Sequence, residues 1–290
     1  MKKKVLILLC CIAFGTLIAQ NYQLKGEYLA DLVSVIDEFK INNNRIIYTF
    51  KDGNGKKEVS FKEIHKDGLL FLQLSEKLPY DTKGSNPSNL VLVLAGNYSS
   101  DNNMSSGILF AETSGFNYVS PFVSPSTKFC DSLGRQYTDC SSFLKEKNRE
   151  YKVGDLCNCK PGTPWVEGVA GSGIGEGFTI KNEFPALYGN PNPYLLIMNG
   201  YISYDKPYLY KQNNRIKKIK VTGVKSGKTK ILDVLDTPHP QTVDISFITE
   251  PEDIRVEIAD VYKGTKYDDT CINFCVTYYD KVIPYENSVR

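Results

Sequence analysis

The sequence predicts an all-β protein, with a small antiparallel β-barrel or sandwich over residues 21–115, a linker at 116–127 and a jelly-roll β-sandwich over 128–290. Three observations carry that expectation. Short apolar or alternating runs recur along the chain, turn-forming residues separate them, and no segment sustains the 3.6-residue period of an amphipathic helix. At 290 residues, with 41% hydrophobic and 23% charged side chains, the chain can build two ordinary domains and is too apolar to remain disordered.

The first element is a leader. Residues 1–20 read MKKKVLILLCCIAFGTLIAQ: three lysines, then an apolar stretch from Val5 to Ala19 of signal-peptide rather than membrane-spanning length. A secretory signal cut near Ala19 or Gln20 is expected, although Leu17 is larger than the usual residue three places before a cleavage site. A lipoprotein signal using Cys10 or Cys11 is the lesser alternative, since only a short apolar core precedes those cysteines. The expected location is secreted or extracytoplasmic, with no transmembrane span in the mature chain. Taking the three leader lysines from the 35 basic residues leaves 32 against 33 acidic ones. That balance argues against a nucleic-acid partner, which needs a positive surplus on one face.

From Gly26 to Gly115 the pattern is strand after strand. Ile46, Tyr48 and Phe50 share one face, Asp52-Gly53-Asn54-Gly55 supplies a hairpin turn, and Val59 and Phe61 resume the alternation. Asp67-Gly68 leads into Leu69–Leu74, Leu90–Ala95 is apolar on both faces, and Ile108–Glu112 closes the set. Leu32–Ile41 is open to a helical turn, and Tyr80–Asn89 reads as an exposed loop. Ser114–Ser126, with two prolines, reads as the linker. Beyond it, Tyr194–Met198 is a buried run, Ile216, Ile219 and Val221 sit among lysines, and Ile254, Val256 and Ile258 alternate with polar residues. Cys271–Tyr279 supplies a last strand.

Six cysteines follow the leader: Cys130, Cys140, Cys157, Cys159, Cys271 and Cys275. An even number in an exported chain is expected to form disulfides, with fifteen possible pairings. A zinc site lacks a Cys-x-x-Cys knuckle, and with only His65 and His239 in the chain most histidine chemistry has too few residues. No cofactor is expected. Gly171–Gly177 places Glu176 where a dinucleotide loop needs its third glycine, and no helix pattern follows. Gly223–Thr229 is one residue short of a phosphate-binding loop and reads as a hairpin turn at Ser226-Gly227. Glu167 and Glu176 are the one carboxylate pair considered for glycosidic acid–base work, a distant alternative.

The informative segment is Thr163–Gly177, TPWVEGVAGSGIGEG, which holds the only tryptophan of the chain and five glycines. Trp165-Val166-Glu167-Gly168, Gly173-Ile174-Gly175-Glu176, Ile197-Met198-Asn199-Gly200-Tyr201 and Asn213-Asn214-Arg215-Ile216-Lys217 follow in order. Together these blocks resemble the glycan-binding domain of certain secreted NAD glycohydrolase toxins, a discoidin-like, galactose-binding-domain-like jelly roll, over about Lys128 to Tyr279. The chain departs from the family pattern at Cys271-Ile272-Asn273-Phe274-Cys275, where relatives carry Cys-Ile-Ser-Glu-Ile. The N-terminal half is outside the resemblance.

The resemblance implies a secreted or cell-surface carbohydrate-binding protein without catalytic activity, using loops at one end of the sandwich. The expected ligand contacts are Trp165, Glu167, Glu176, Asn199, Tyr201, Tyr204 and Arg215. Each also has a structural reading: Trp165 as a packing aromatic, Arg215 as the partner of Glu167 or Glu176, Asn199-Gly200-Tyr201 as a turn, the tyrosines as sheet packing. An adhesion module that meets a protein partner through its sheet faces is the alternative function.

Overall fold

The computed structural model describes the backbone of residues 26–29, 36–42, 44–50, 53, 55–77, 89–100, 103–113, 116–119, 137–157, 161–181, 193–278 and 281–285, and side chains over most of 44–77, 89–96, 139–156, 161–181, 193–278 and 281–285. The leader and Tyr80–Asn89, apart from Asn89, lie outside these residues. Among the described residues no helix is long and apolar enough to cross a membrane.

The first half is an eight-strand antiparallel meander: β1 (Gly26–Leu29), β2 (Ile36–Asn42), β3 (Arg45–Phe50), β4 (Lys56–Lys66), β5 (Leu69–Leu74), β6 (Leu90–Ser100), β7 (Asn103–Thr113) and β8 (Phe116–Val119). It curls until β1 approaches β7 and β8. Alternation specifies β3 and β4: Ile46, Tyr48, Val59 and Phe61 are buried, and Gly53 and Gly55 close the turn with positive φ. Asp67 (φ 54°) and Gly68 (φ 88°) form the two-residue turn between β4 and β5, matching strand twist with two left-handed residues. Ile36–Asn42 is a strand, so the helical turn considered for Leu32–Ile41 does not form over these residues. Phe116–Val119 pairs with β7 and belongs to the first sheet, not to a linker.

The second half is a sandwich of two antiparallel layers. One holds β12 (Trp165–Val166), β14 (Tyr194–Asn199), β17 (Gln241–Asp244) and β19 (Thr270–Tyr278). The other holds β9 (Tyr137–Cys140), β13 (Gly177–Ile180), β15 (Asn214–Gly223), β16 (Thr229–Asp233) and β18 (Ile254–Tyr262). Short parallel pairing of Asn214–Arg215 with Thr270–Cys271 joins the layers at a corner. Trp165, Leu195, Ile197, Ile272 and Cys275 from one layer meet Phe178, Ile219, Val221, Val256 and Ile258 from the other in a single core. The β15–β16 connection is a hairpin capped by Glu252, whose carboxylate accepts the Lys225 and Ser226 amides, both at 2.7 Å.

A bulge in β19 has a consequence for the cysteines. Met198 pairs with Phe274 but Asn199 pairs with Ile272, so Asn273 is an extra residue and the facing of the strand inverts across it. Cys275 enters the sandwich core, whereas Cys271 packs with Tyr151, Val166 and Tyr201. Cys140, Cys271 and Cys275 are thiols, contrary to the disulfide expectation for them. Burial pushes the Cys271 thiol far up, with nearby Asp269 and Glu167 adding to the effect. The side chains of Cys130, Cys157 and Cys159 lie outside the described residues.

The halves share a third layer of contact. The outer face of β14 and β19, with Leu196, Met198, Phe274, Val276 and Tyr278, packs on Leu69, Phe71, Leu92 and Leu94 of β5 and β6. Every residue of β19 is therefore buried. The chain then returns: β20 (Lys281–Pro284), assigned to the jelly roll by sequence, pairs with Gly96–Ser99 of β6 where β5 has ended.

Candidate binding site at one end of the sandwich

Strand directions gather the informative segments at one end. β19 begins at Thr270 beside the end of β12, the end of β14, the start of β15 and the end of β18. The loops 141–152, 167–176, 200–213 and 263–269 therefore all emerge there. The sequence blocks meet as expected, but most of the named side chains serve the joint itself.

Trp165 is fully buried; its indole N–H donates to Ser142 O at 3.0 Å and its ring stands edge-on to Phe178, 5.3 Å away. Glu167, also fully buried, accepts the Val169 amide at 2.9 Å and the Thr270 amide at 3.2 Å. Burial raises its carboxyl pKa, and those two amides oppose the shift. Glu176 is held at the surface by Ser141 Oγ at 2.6 Å and by the Ser142 hydroxyl. Asn199 is fully buried and clamps Ile216: its Oδ1 accepts the Ile216 amide at 2.9 Å, and its Nδ2 donates to the Ile216 carbonyl at 2.7 Å. Tyr204 lies in the seam between the halves, near Phe71, donating to Leu90 O at 3.3 Å.

Arg215 pairs neither with Glu167 nor with Glu176. Its partner is Asp236, reached by Nε at 2.6 Å and Nη2 at 2.9 Å, while Nη1 donates to Asn213 O at 3.0 Å. The Tyr210 ring lies beneath the guanidinium, 5.3 Å from its carbon, and the Tyr210 hydroxyl donates to Asp236 Oδ1 at 3.1 Å. Trp165, Glu167 and Asn199, fully buried, and Arg215, nearly so, thus build the end of the sandwich from inside.

Nearer the surface lies a group of charged side chains over two buried tyrosines, which the sequence analysis largely missed. The β10 (Lys145–Glu146) and β11 (Arg149–Glu150) hairpin lies across the end. Arg149 sits over the Tyr151 ring at 4.5 Å, donates to the Tyr201 hydroxyl at 3.2 Å and to Gly162 O. Tyr151 stands edge-on to Tyr201, 6.1 Å between ring centres, and donates to Glu146 at 3.0 Å. Burial raises the Tyr151 and Tyr201 hydroxyls. It also raises the half-buried Asp269 carboxyl, helped by the charges of Glu146 and Asp268. The Arg149 guanidinium and the Glu146 and Asp269 carboxylates thus form a polar patch at the rim, backed by the buried Tyr151 and Tyr201 rings. Of these only Tyr201 belonged to the predicted set; Glu146, Arg149 and Tyr151 lie in a polar stretch without periodicity, Asp269 lies in the loop before β19, and no residue pattern marked them. Among the described residues no group of acidic, cysteine or histidine side chains could hold a metal ion.

No curated protein matches the chain in sequence comparison. The model of the NAD glycohydrolase translocation F5/8 type C domain matches residues 128–277, just over half the chain and nearly the whole sandwich. The match stops before β20, the strand given back to the first half. With β12 to β19 in the order and pairing of a two-layer antiparallel sandwich, the chain belongs to the family of the NAD glycohydrolase translocation F5/8 type C domain.

Proposed function

We propose that this chain is an exported protein that binds carbohydrate at the loop end of its F5/8 type C sandwich and does not transform it. Such domains are binding modules, and the observation that carries the glycan reading is the rim patch. Arg149, Glu146 and Asp269 offer donors and acceptors for sugar hydroxyls, and the buried Tyr151 and Tyr201 rings behind them hold Arg149 and Glu146 in place. Export rests on the leader at residues 1–20, and a shallow site of this kind gives weak affinity per contact. The hydrolase alternative loses support because both its carboxylates are committed: Glu167 to buried amides, Glu176 to two serines.

The adhesion alternative required free sheet faces. The outer face of β14 and β19 is covered by β5 and β6, and the opposite face carries ion pairs such as Lys220–Glu257 at 3.0 Å and Lys217–Asp260 at 2.9 Å. A glycan array on the full mature chain tests the proposal. Binding that is lost in Arg149→Ala and weakened in Tyr201→Phe is expected; no binding above background, or binding indifferent to both changes, overturns it.

A further inference from the structure

We propose that His239 is an acid-sensitive latch holding strand β20, and with it the two halves of the chain, together. His239 is fully buried where the halves meet, 144 residues from its partner: Nδ1 accepts the Ala95 amide at 2.9 Å. The Ala95 carbonyl accepts the Tyr285 amide at 3.2 Å, and the Tyr285 ring lies edge-on to the imidazole, 5.4 Å away. Thr242 of β17 binds the backbone of Val282 from the other side, so β20 is gripped by both halves at the same point. An imidazole that accepts at Nδ1 must be neutral with its proton on Nε2. Nε2 is buried with no hydrogen-bond partner. A second proton would have to go to Nδ1, facing the N–H of Ala95, and would leave a cation in an apolar seam.

The charged surroundings do not rescue that cation. On β4, His65 adds like charge when protonated, and Glu63 is engaged by His65 at 3.7 Å and by the Tyr285 hydroxyl at 3.2 Å. From β6, β20 and the 237–240 segment, the contacts to His239 are Ala95 N–H, the Tyr285 ring and the Thr237 hydroxyl, none of them charged. Burial, with a smaller contribution from His65, lowers the His239 pKa from 6.5 to about 3. The released histidine regains its ordinary value, so the opened state binds more protons below pH 6.5 and opening grows about tenfold per pH unit down to the buried value. The latch is thus fully closed above about pH 6.5 and weakens as acid is added, exposing the apolar seam of Leu92, Leu94, Met198 and Val276.

Amide hydrogen exchange on the full chain tests this. The Val282 and Tyr285 amides, corrected for intrinsic rate, are expected to exchange about 100-fold faster at pH 4.5 than at pH 7.5. His239→Gln, which keeps an acceptor but cannot be protonated, flattens that rise, and His65→Gln keeps it. No rise in the unaltered chain, or an equal rise in His239→Gln, overturns the proposal. Should His239→Gln fail to fold, NMR titration of the unaltered imidazole decides. An imidazole neutral until β20 opens supports the latch, and one titrating near pH 6.5 with β20 still protected overturns it.

Discussion

Arg215 and Asp236 meet as two parallel hydrogen-bonded contacts, tying the first residues of β15 to the loop before β17. The arginine side chain is 6% exposed, the aspartate 24%. Burial alone would raise the Asp236 carboxyl, but the bonded guanidinium outweighs it, with Lys211 and the Tyr210 hydroxyl assisting, and the net shift is downward. Asp236→Ala leaves a buried guanidinium without its counter-charge and is expected to cost about 3–5 kcal/mol in urea unfolding. Replacing both partners, as Arg215→Met with Asp236→Leu, is expected to recover most of that loss, which a double-mutant cycle measures.

The same pair sets an acid limit. Because the Asp236 pKa is lowered on folding, its contribution is complete above the ordinary aspartate range and is lost as pH falls through the folded value. Stability measured from pH 5 down to pH 2 is expected to fall less steeply in Asp236→Asn than in the unaltered chain. This window lies below most of the His239 window, so the Asn variant keeps the decline between pH 6.5 and 4.5.

Asn199 stands in for a strand. Its amide satisfies both the N–H and the C=O of Ile216, as a neighbouring peptide would, and so closes the gap between the two layers at the bulge in β19. Asn199→Leu keeps the volume but orphans both backbone groups, an expected loss of about 2–5 kcal/mol. Asn199→Asp retains the acceptor only and buries a charge, so it is expected to be at least as damaging, read from the unfolding midpoint.

Much of this architecture is legible in the sequence because period-two alternation is a direct record of one-sided burial. Ile254, Val256 and Ile258 point inward as read, and the continuous run Leu90–Ala95 is continuous because both of its faces are covered. The gathering of Trp165, Asn199 and Arg215 at one end is also legible, through the family blocks. What was not legible is which atoms face out. A tryptophan among glycines, or an arginine on a strand, has the same letter whether it packs a joint or meets a ligand; only the position of Asp236, twenty-one residues on, decides for Arg215. The bulge at Asn273 hides equally well, since it inverts the facing of Cys271 relative to Cys275 without a mark in the composition. Pairing of β20 with β6 is a contact between the two ends of the sequence, and the short run Lys281–Pro284 carries no trace of its distant partner.

Gly200 separates conformational strain from steric conflict. It has φ +82°, and a Cβ there would lie 2.8 Å from both Arg215 Cγ and Tyr210 Cε2. Gly171, at φ +96°, has nothing within 4 Å of the same position. Gly171→Ala is expected to cost about 1 kcal/mol from backbone strain alone. Gly200→Ala adds displacement of the Arg215–Tyr210 stack and is expected to cost clearly more. Equal losses in thermal unfolding would show that the stack gives way freely.

Removal of residues 281–290 tests whether the two halves are one cooperative structure. Val282 is 2% exposed and Tyr285 3% exposed, and burying side chains of this size contributes about 1.5–3 kcal/mol each. The truncation also bares the Gly96–Ser99 edge of β6 and strips His239 of the ring that covers it. If the shared layer of Leu69, Leu92, Leu196, Phe274 and Val276 is held closed by β20, the shortened chain is expected to bind a hydrophobic dye at neutral pH and to unfold in two transitions. It should also match the acid-opened state of the complete chain by exchange at Ala95. A single transition shifted only slightly, with no dye binding, would mean that the apolar seam alone holds the halves together and that β20 merely lies along it.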